Sequence, residues 1–196
     1  MREKSKKNHQ KNLKELKIML KNINQETKFI FISSIGVLNN KHEKYSYHYS
    51  KKLCEKEILK RSKNFLIIRF PNVYGYRQRG NFLIPSIVRV LKKKGKILLN
   101  NYLDKRDYLY IGDAVALISI LANKKNKIIN INSKNKFTVL QVYKKIIKLL
   151  AVKRKVYLMN KNSKLKSAFT SKKNIYLLRK YKFINLENGL RKTIKI

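Results

Sequence analysis

Two short apolar runs with a helical stretch between them constrain the fold of this chain more than any other feature. Residues 28–34 and 65–70 are rich in β-branched and aromatic side chains, which is typical of strands buried in a parallel sheet. Residues 45–62 lie between them and are predicted to form a helix. A strand, a helix and a second strand make a right-handed crossover unit, so the sequence predicts an α/β protein with a doubly wound parallel sheet.

Tyr47 and Lys51 lie four residues apart in this predicted helix, on one face and one turn apart. An ammonium about 4 Å from a phenol favours the phenolate by roughly 4 kcal/mol at an effective dielectric constant of about 20, or about three pKa units. Ser34 ends the first strand, at the sheet edge where open α/β sheets place ligands. The three side chains suit proton transfer to and from an alcohol that becomes a ketone. The spacing alone more often reflects an exposed aromatic and a solvated lysine.

The second half predicts further alternating elements. Residues 71–75 (PNVYG) are rich in turn formers. Asp113 is expected to cap a helix, and Thr138 with Gln141 forms a capping-box pattern ahead of another. Helices are predicted within 13–23, 82–94, 114–122, 139–150, 171–178 and 186–195, and strands over 96–99, 107–111, 128–131 and 156–159.

Six motifs occur in a fixed order, in residues 31–37 (FISSIGV), 47–55 (YHYSKKLCE), 69–75 (RFPNVYG), 105–113 (KRDYLYIGD), 129–138 and 171–193. Together they resemble the NAD-dependent epimerase/dehydratase family of the extended short-chain dehydrogenase/reductase superfamily, over roughly residues 28–196. The resemblance implies a Rossmann-like sheet with a small substrate domain that interleaves with it. It assigns residues 1–75 to the second half of the dinucleotide-binding domain with the active-site helix, and residues 76–196 to the last sheet strands and the substrate-binding subdomain.

The resemblance also implies roles for individual residues. Tyr47 is the expected catalytic acid or base, Lys51 lowers its pKa and holds the nicotinamide ribose, and Ser34 hydrogen-bonds the sugar oxygen. Pro71 matches a position that lines the nicotinamide pocket. Asn72 and Arg106 match positions that contact the diphosphate of a nucleotide sugar, and a guanidinium pairs well with two phosphate oxygens. The expected cofactor is NAD or NADP, and no metal site is expected.

Two departures from the family pattern matter. The 4,6-dehydratases carry an acidic pair after the serine, where this chain has Ile35 and Gly36, so epimerisation or reduction is favoured over dehydration. No glycine-rich phosphate-binding turn precedes Gly36. The sequence therefore predicts a truncated chain or a partner chain that supplies the missing N-terminal half, and cofactor binding by this chain alone is doubtful. Pairing as a homodimer through a helix like 45–62 is a further expectation.

The chain is strongly basic, with 49 Lys and Arg against 10 Asp and Glu and a formal net charge of +39. The lysines are spread along the whole chain, as an A/T-rich codon bias would produce, so no specific nucleic-acid binding is expected.

Cys54 is the only cysteine, which excludes an intramolecular disulfide and suggests a small buried residue. No long apolar run is present, so no membrane span and a cytoplasmic location are expected.

Three functions remain open at this point. The first is an NAD-dependent nucleotide-sugar epimerase or reductase. The second is a non-catalytic remnant or pseudoenzyme that still binds a nucleotide sugar. The third is a basic nucleic-acid-binding protein, which no helix-turn-helix, zinc or aromatic RNA-binding pattern supports.

Overall fold

The computed structural model describes residues 2–39, 46–93, 95–152, 156–159 and 178–195, with side chains described from residue 10 onward. The helices are α1 (Arg2–Asn22), α2 (Tyr47–Arg61), α3 (Leu83–Lys92), α4 (Ile111–Leu121), α5 (Val139–Leu149) and α6 (Leu186–Ile194). The strands are β1 (Phe29–Ser34), β2 (Phe65–Phe70), β3 (Asn72–Tyr74), β4 (Ile97–Asn100), β5 (Lys105–Tyr110), β6 (Lys127–Asn130), β7 (Lys136–Thr138) and β8 (Val156–Met159). The predicted α/β class is confirmed.

The chain forms two compact units that alternate along the sequence. As far as these ranges are described, the first unit contains Met1–Phe70, Leu117–Ile131 and Phe169–Arg179. The second contains Pro71–Ala116, Asn132–Ala168 and Lys180–Ile196.

The first unit is built on a three-stranded parallel sheet in the order β1-β2-β6. Register pairs Phe29 with Phe65 and Ser34 with Phe70, so the two predicted strands end together at one sheet edge. The central strand β2 is the most deeply buried, because it has neighbours on both sides and a continuous apolar sequence. α1 packs its apolar stripe on this unit through Leu16 and Leu20, against Cys54 and Ile58 of α2. The predicted strand–helix–strand arrangement is confirmed.

The second unit contains two smaller sheets. β3 pairs parallel with β5, and β5 pairs antiparallel with β7, while β4 pairs parallel with β8. Helices α3, α5 and α6 cover one apolar core around Tyr143 and Leu190. The capping box at Thr138 and Gln141 is present with both hydrogen bonds, at 3.1 and 2.8 Å, and it starts α5 where the sequence predicts.

Two local predictions are wrong. The turn-rich stretch 71–75 contains the strand β3, because Asn72–Tyr74 pair with Tyr108–Tyr110 of a segment distant in sequence. Asp113 does not cap α4, which begins two residues earlier at Ile111. Its carboxylate instead accepts hydrogen bonds from the Tyr181 hydroxyl at 2.9 Å and the Ile184 amide at 3.0 Å. The helix predicted from Ser171, and the motif that begins there, lie outside the described residues over 171–177.

Candidate active site

Ser34 lies at the carboxyl end of β1, where the chain leaves the sheet of the first unit. Its hydroxyl accepts a hydrogen bond from the Gly36 amide at 3.2 Å and so caps the short 3-10 helix Ile35–Leu38. Position 36 has no room for a side chain, because a Cβ there would lie 2.3 Å from the His48 ring. This close approach fixes the segment after Ser34 against the start of α2.

Tyr47 is the first residue of α2. Ser46 caps the helix, its hydroxyl accepting from the Tyr49 amide at 3.2 Å, so the sequence places Tyr47 at an exposed helix start. The residue is 56% exposed, and its ring packs edge-on against His48 with 5.3 Å between centroids. Partial removal of the phenol from water raises the pKa of Tyr47.

Lys51 projects from the next turn of α2 and binds the strand that Ser34 ends. Its Nζ donates to the Ile32 carbonyl at 2.8 Å and lies 4.5 Å from the centroid of the Phe31 ring. It is 5.9 Å from the centroid of the Tyr47 ring. Burial lowers the pKa of Lys51, an effect that the Glu55 carboxylate partly counters. The lowering of the Tyr47 pKa that the spacing predicts is therefore not found in this arrangement, in which the ammonium is bound to the backbone of β1.

A buried polar network beneath these residues was not predicted. Glu55 accepts from the Ser33 hydroxyl at 2.5 Å, and Arg69 binds both its oxygens at 2.9 and 2.5 Å. Arg69 also donates to the Asn130 side chain at 3.4 Å. The network ties α2 to all three strands of the sheet. The sequence did contain a signal for this network, a single arginine within the otherwise apolar strand 65–70, because a buried guanidinium requires a carboxylate partner.

Asn72 and Arg106, the two predicted diphosphate-binding residues, line one pocket of about 150 Å³ in the second unit. The Asn72 amide donates to the Asp107 carbonyl at 3.0 Å, which fixes its side chain on β5. Arg106 lies 3.9 Å from the Asp104 carboxylate, a distance at which the ion pair is weak and leaves most guanidinium donors available.

Tyr108 lines the same pocket and contributes a buried polar atom. The residue is only 3% exposed, and its hydroxyl has no hydrogen-bond partner among the described residues. Burial raises the pKa of Tyr108 to about 12, so the hydroxyl is a neutral donor. An unsatisfied buried hydroxyl costs stability.

Asp107 lies between Arg106 and Tyr108 in β5 and supports this strand from the buried side. It is fully buried, and Ser133 donates to it from its amide at 3.1 Å and from its hydroxyl. Burial raises the pKa of Asp107, while the hydrogen bonds from Ser133 oppose that rise.

The remaining candidates fall outside this pocket. Pro71 is buried between β2 and β3, and it belongs to the second unit. Cys54 is a buried free thiol in the apolar core. The described residues contain no group of His, Cys, Asp and Glu that could hold a metal ion.

A family model, described as the NAD dependent epimerase/dehydratase family, matches residues 5–132. The chain belongs to this family. A putative UDP-glucose 4-epimerase of Methanocaldococcus jannaschii is 31% identical over 83 residues, covering 40% of this chain and 27% of that protein.

Solved structures of other proteins share the fold. The UDP-glucose 4-epimerase of Thermotoga maritima with UDP-glucose superposes with a TM-score of 0.71 at 20% identity, over 86% of this chain and 62% of that chain. The dTDP-glucose 4,6-dehydratase of Bacillus anthracis with NAD gives 0.68 at 21% identity, over 86% and 60%. The chain thus spans less than two thirds of the length of these structures. Within the described part of the chain, no helix combines the length and apolar character that crossing a bilayer requires.

Proposed function

We propose that this chain supplies the proton-handling and substrate-binding residues of an NAD-dependent nucleotide-sugar epimerase or reductase. The observation that carries the proposal is the connection between α2 and β1. Lys51 is hydrogen-bonded to the strand that ends in Ser34, and Tyr47 begins the helix that Lys51 belongs to. Hydroxyl, phenol and ammonium therefore belong to one rigid part of the first unit, at the sheet edge where such folds bind ligands.

In the proposed reaction Tyr47 exchanges a proton with a sugar hydroxyl, and Ser34 holds that oxygen by a hydrogen bond. An ammonium has three donors, and Ile32 uses one of those on Lys51. The other two remain for the phenol oxygen and for ribose hydroxyls. Contact between Lys51 and the phenolate would favour the ionised form of Tyr47 and bring its pKa toward working pH.

NAD or NADP would be held by Lys51, Tyr47 and Pro71, and when bound it would supply hydride acceptance and return. The donor set on α2 fits a ribose, since it offers an ammonium and a half-exposed phenol on one helix face. Pro71, which lies between β2 and β3, would line the nicotinamide pocket.

The substrate class we propose is a nucleotide-diphosphate sugar. Arg106 and Asn72 line one pocket together with the buried Tyr108, and both offer polar groups that suit a phosphate or sugar oxygen. The T. maritima relative contains UDP-glucose, which makes a uridine nucleotide the first ligand to test.

Epimerisation or reduction is favoured over dehydration. An acidic side chain at position 36 would collide with His48, and Ile35 is buried. The segment after Ser34 therefore lacks both the acidic residues and the space for an acid at position 36. We propose oxidoreduction at one sugar carbon without loss of water.

A complementary polypeptide segment is part of the proposal. Among the described residues β1 pairs only with β2, and half-buried Phe29, Ile30 and Phe31 lie along this edge. Unpaired edge strands with apolar side chains are templates for pairing with another strand. A chain carrying the glycine-rich cofactor half, or a second copy of this chain, would cover it. The cytoplasmic location stays a prediction.

Ligand binding by the isolated chain tests the proposal. We expect UDP-glucose to bind measurably by calorimetry and NADH to give no detectable fluorescence change. Turnover is expected only after addition of a polypeptide that carries the family's glycine-rich half. Tight stoichiometric NADH binding by the chain alone would contradict the need for a second half.

The alternative is a non-catalytic chain that binds a nucleotide sugar, which predicts the same UDP-glucose binding with no turnover in any reconstituted mixture. A nucleic-acid-binding protein instead predicts salt-sensitive RNA binding with a preference for sequence or structure, and no UDP-glucose binding.

A further inference from the structure

The second unit contains a basic pocket that shares only Gln78 with the lining of the Asn72–Arg106 pocket. Its volume is about 400 Å³, within the range of small-molecule sites. It lies at the carboxyl ends of α3 and α6 and is lined by apolar side chains of Pro85, Val88 and Ile194. Four cations line it as well, Arg77, Arg89, Lys92 and Lys93, and no acidic residue does.

Tyr76 lines this pocket, and two cations lie close to its ring. Lys195 Nζ lies 4.2 Å from the centroid of the Tyr76 ring, and the Arg77 guanidinium lies 5.3 Å from it. Hydrogen bonds from Lys195 and Arg77 to the hydroxyl lower the pKa of Tyr76, which reports a positive potential at that point. The two cations are held together although like charges repel.

The backbone is strained where this cluster is formed. Arg77 has a φ of 55°, in the left-handed region. For a residue with a Cβ this conformation costs on the order of 1 kcal/mol and persists where the surroundings impose it.

A simpler explanation is that the cations compensate the two helix ends. Each helix carboxyl end carries about half a negative charge, so the two together account for about one cation. The pocket and Lys195 contribute five. None of the ion pairs between described residues involves any of the five. Most of this positive charge therefore has no anionic counterpart in the described part of the chain.

We propose that this pocket is a second anion site, which binds a small phosphorylated ligand. Lys92, Lys93 and Arg77 contact its phosphates, and the apolar floor takes any attached ring. Arg89 shapes the site, since its guanidinium already donates to the Gly80 carbonyl and the Ser86 hydroxyl, both at 3.3 Å. The ligand chemistry is a polyphosphate, from either a nucleotide or an inorganic source.

Titration calorimetry of the full chain, at about 150 mM salt to screen long-range attraction, tests this site with two probes. Inorganic tripolyphosphate measures the phosphate contacts alone, and ATP adds an aromatic ring. Tighter binding of ATP identifies a nucleotide site, whereas equal binding identifies a site for the phosphates only.

A charge-matched pair of variants separates the pocket from the general field of a +39 chain. Lys92→Gln with Lys93→Gln removes two exposed lysines at the end of α3, and Lys144→Gln with Lys148→Gln removes two exposed lysines of α5. We expect the first pair to weaken tripolyphosphate binding about tenfold and the second less than about twofold. Equal weakening by both pairs, or by neither, would overturn the proposal.

Two further variants keep the test decisive. Arg77 lies in a loop outside α3. The variant Arg77→Gln should therefore weaken tripolyphosphate binding even if the Lys92/Lys93 variant is less stable. Arg106→Gln, in the other pocket, should leave tripolyphosphate affinity at this site unchanged. A loss of binding in Arg106→Gln equal to that in Arg77→Gln would assign the probe to the Asn72–Arg106 pocket and reject a second site.

Discussion

The Ser34–Tyr47–Lys51 region of the first unit and the Asn72–Arg106 pocket of the second are organised in opposite ways. In the first, the backbone is rigid and the reactive side chains are loosely placed, with Tyr47 more than half exposed and Lys51 bound to a main-chain carbonyl. In the second, Asn72 is held by a hydrogen bond to the Asp107 carbonyl and Tyr108 is buried, while Arg106 has only a weak ion pair with Asp104. Part of the proposed binding pocket is therefore pre-positioned, whereas the proposed proton-transfer residues still have to be brought together.

This contrast is expected from the energetics of each task. A binding pocket gains affinity from groups that are already immobilised. A phenol that must alternate between protonation states needs access to a cation, and neighbours complete that arrangement in the working complex.

The largest effect is expected from Tyr47→Phe, which tests whether the loosely placed region performs the chemistry. In any assembly of this chain that turns over, loss of the hydroxyl should lower kcat about 10²–10⁴-fold, since no other group takes the proton. UDP-glucose affinity should change less than about twofold, because the ring is retained. The readouts are steady-state kinetics and calorimetry. Undiminished turnover would remove Tyr47 from the mechanism.

Replacement of Glu55 tests the rigidity assigned to the first unit. Glu55→Ala leaves the partly buried Arg69 guanidinium without its carboxylate and should lower the free energy of unfolding by about 3–5 kcal/mol. Glu57→Ala on the same helix removes ion pairs with Arg61 and Lys17 near the surface and should cost at most about 1 kcal/mol. Denaturant unfolding monitored by circular dichroism gives both values. Similar losses would show that the network does not hold α2 to the sheet.

Arg106→Gln tests the pre-positioned pocket. Loss of charge-assisted hydrogen bonds to a diphosphate should weaken UDP-glucose binding about 10–100-fold. Arg191→Gln removes an exposed arginine of α6 that pairs with Glu187, and its affinity should stay within about twofold of wild type. Calorimetry at one fixed salt concentration provides the comparison. An equal decrease in both variants would attribute binding to net charge.

The smallest effect concerns the pH dependence of stability at Asp107, beneath this pocket. Its pKa is raised in the folded protein, so the folded state holds the extra proton between the unfolded value, about 4, and the folded value. Wild type should therefore lose stability relative to Asp107→Asn as pH rises through that interval.

Glu57 provides the control with the opposite sign. Arg61 lowers the pKa of Glu57, so its contribution is present above the unfolded pKa and is lost as pH falls through the folded one. Wild type should gain stability relative to Glu57→Gln as pH rises. Unfolding curves at a series of pH values measure both differences, and slopes of the same sign would contradict the assignment.

Local sequence was a good guide where a few neighbouring residues decide the structure. The apolar strands β1 and β2, the helix after Ser46 and the capping box at Thr138 each depend on contacts within one turn or one strand. The ordered motifs also placed the chain in its family, since they preserve the order in which the sheet is built.

Prediction from the sequence was wrong, or made no statement, where a residue distant in the chain determines the local structure. β3 exists because Asn72–Tyr74 meet β5, and local turn chemistry gives no sign of that pairing. The local pattern predicts that Asp113 caps a helix, but its carboxylate accepts hydrogen bonds from the Tyr181 hydroxyl and the Ile184 amide instead. The roles of Ser34, Tyr47, Lys51, Pro71, Asn72 and Arg106 stay predictions.

The sequence by itself determined which elements form, in which order, and which residue types lie at the ends of the strands, because periodicity and capping are local properties. Tertiary structure decided where the polar atoms are directed. Lys51 bound a carbonyl of β1, Glu55 joined Ser33 to Arg69, and the buried Tyr108 hydroxyl was left without a hydrogen-bond partner among the described residues. The physical reason is that a buried polar group is satisfied by whichever partner packing brings within about 3 Å, and packing is set by the whole chain.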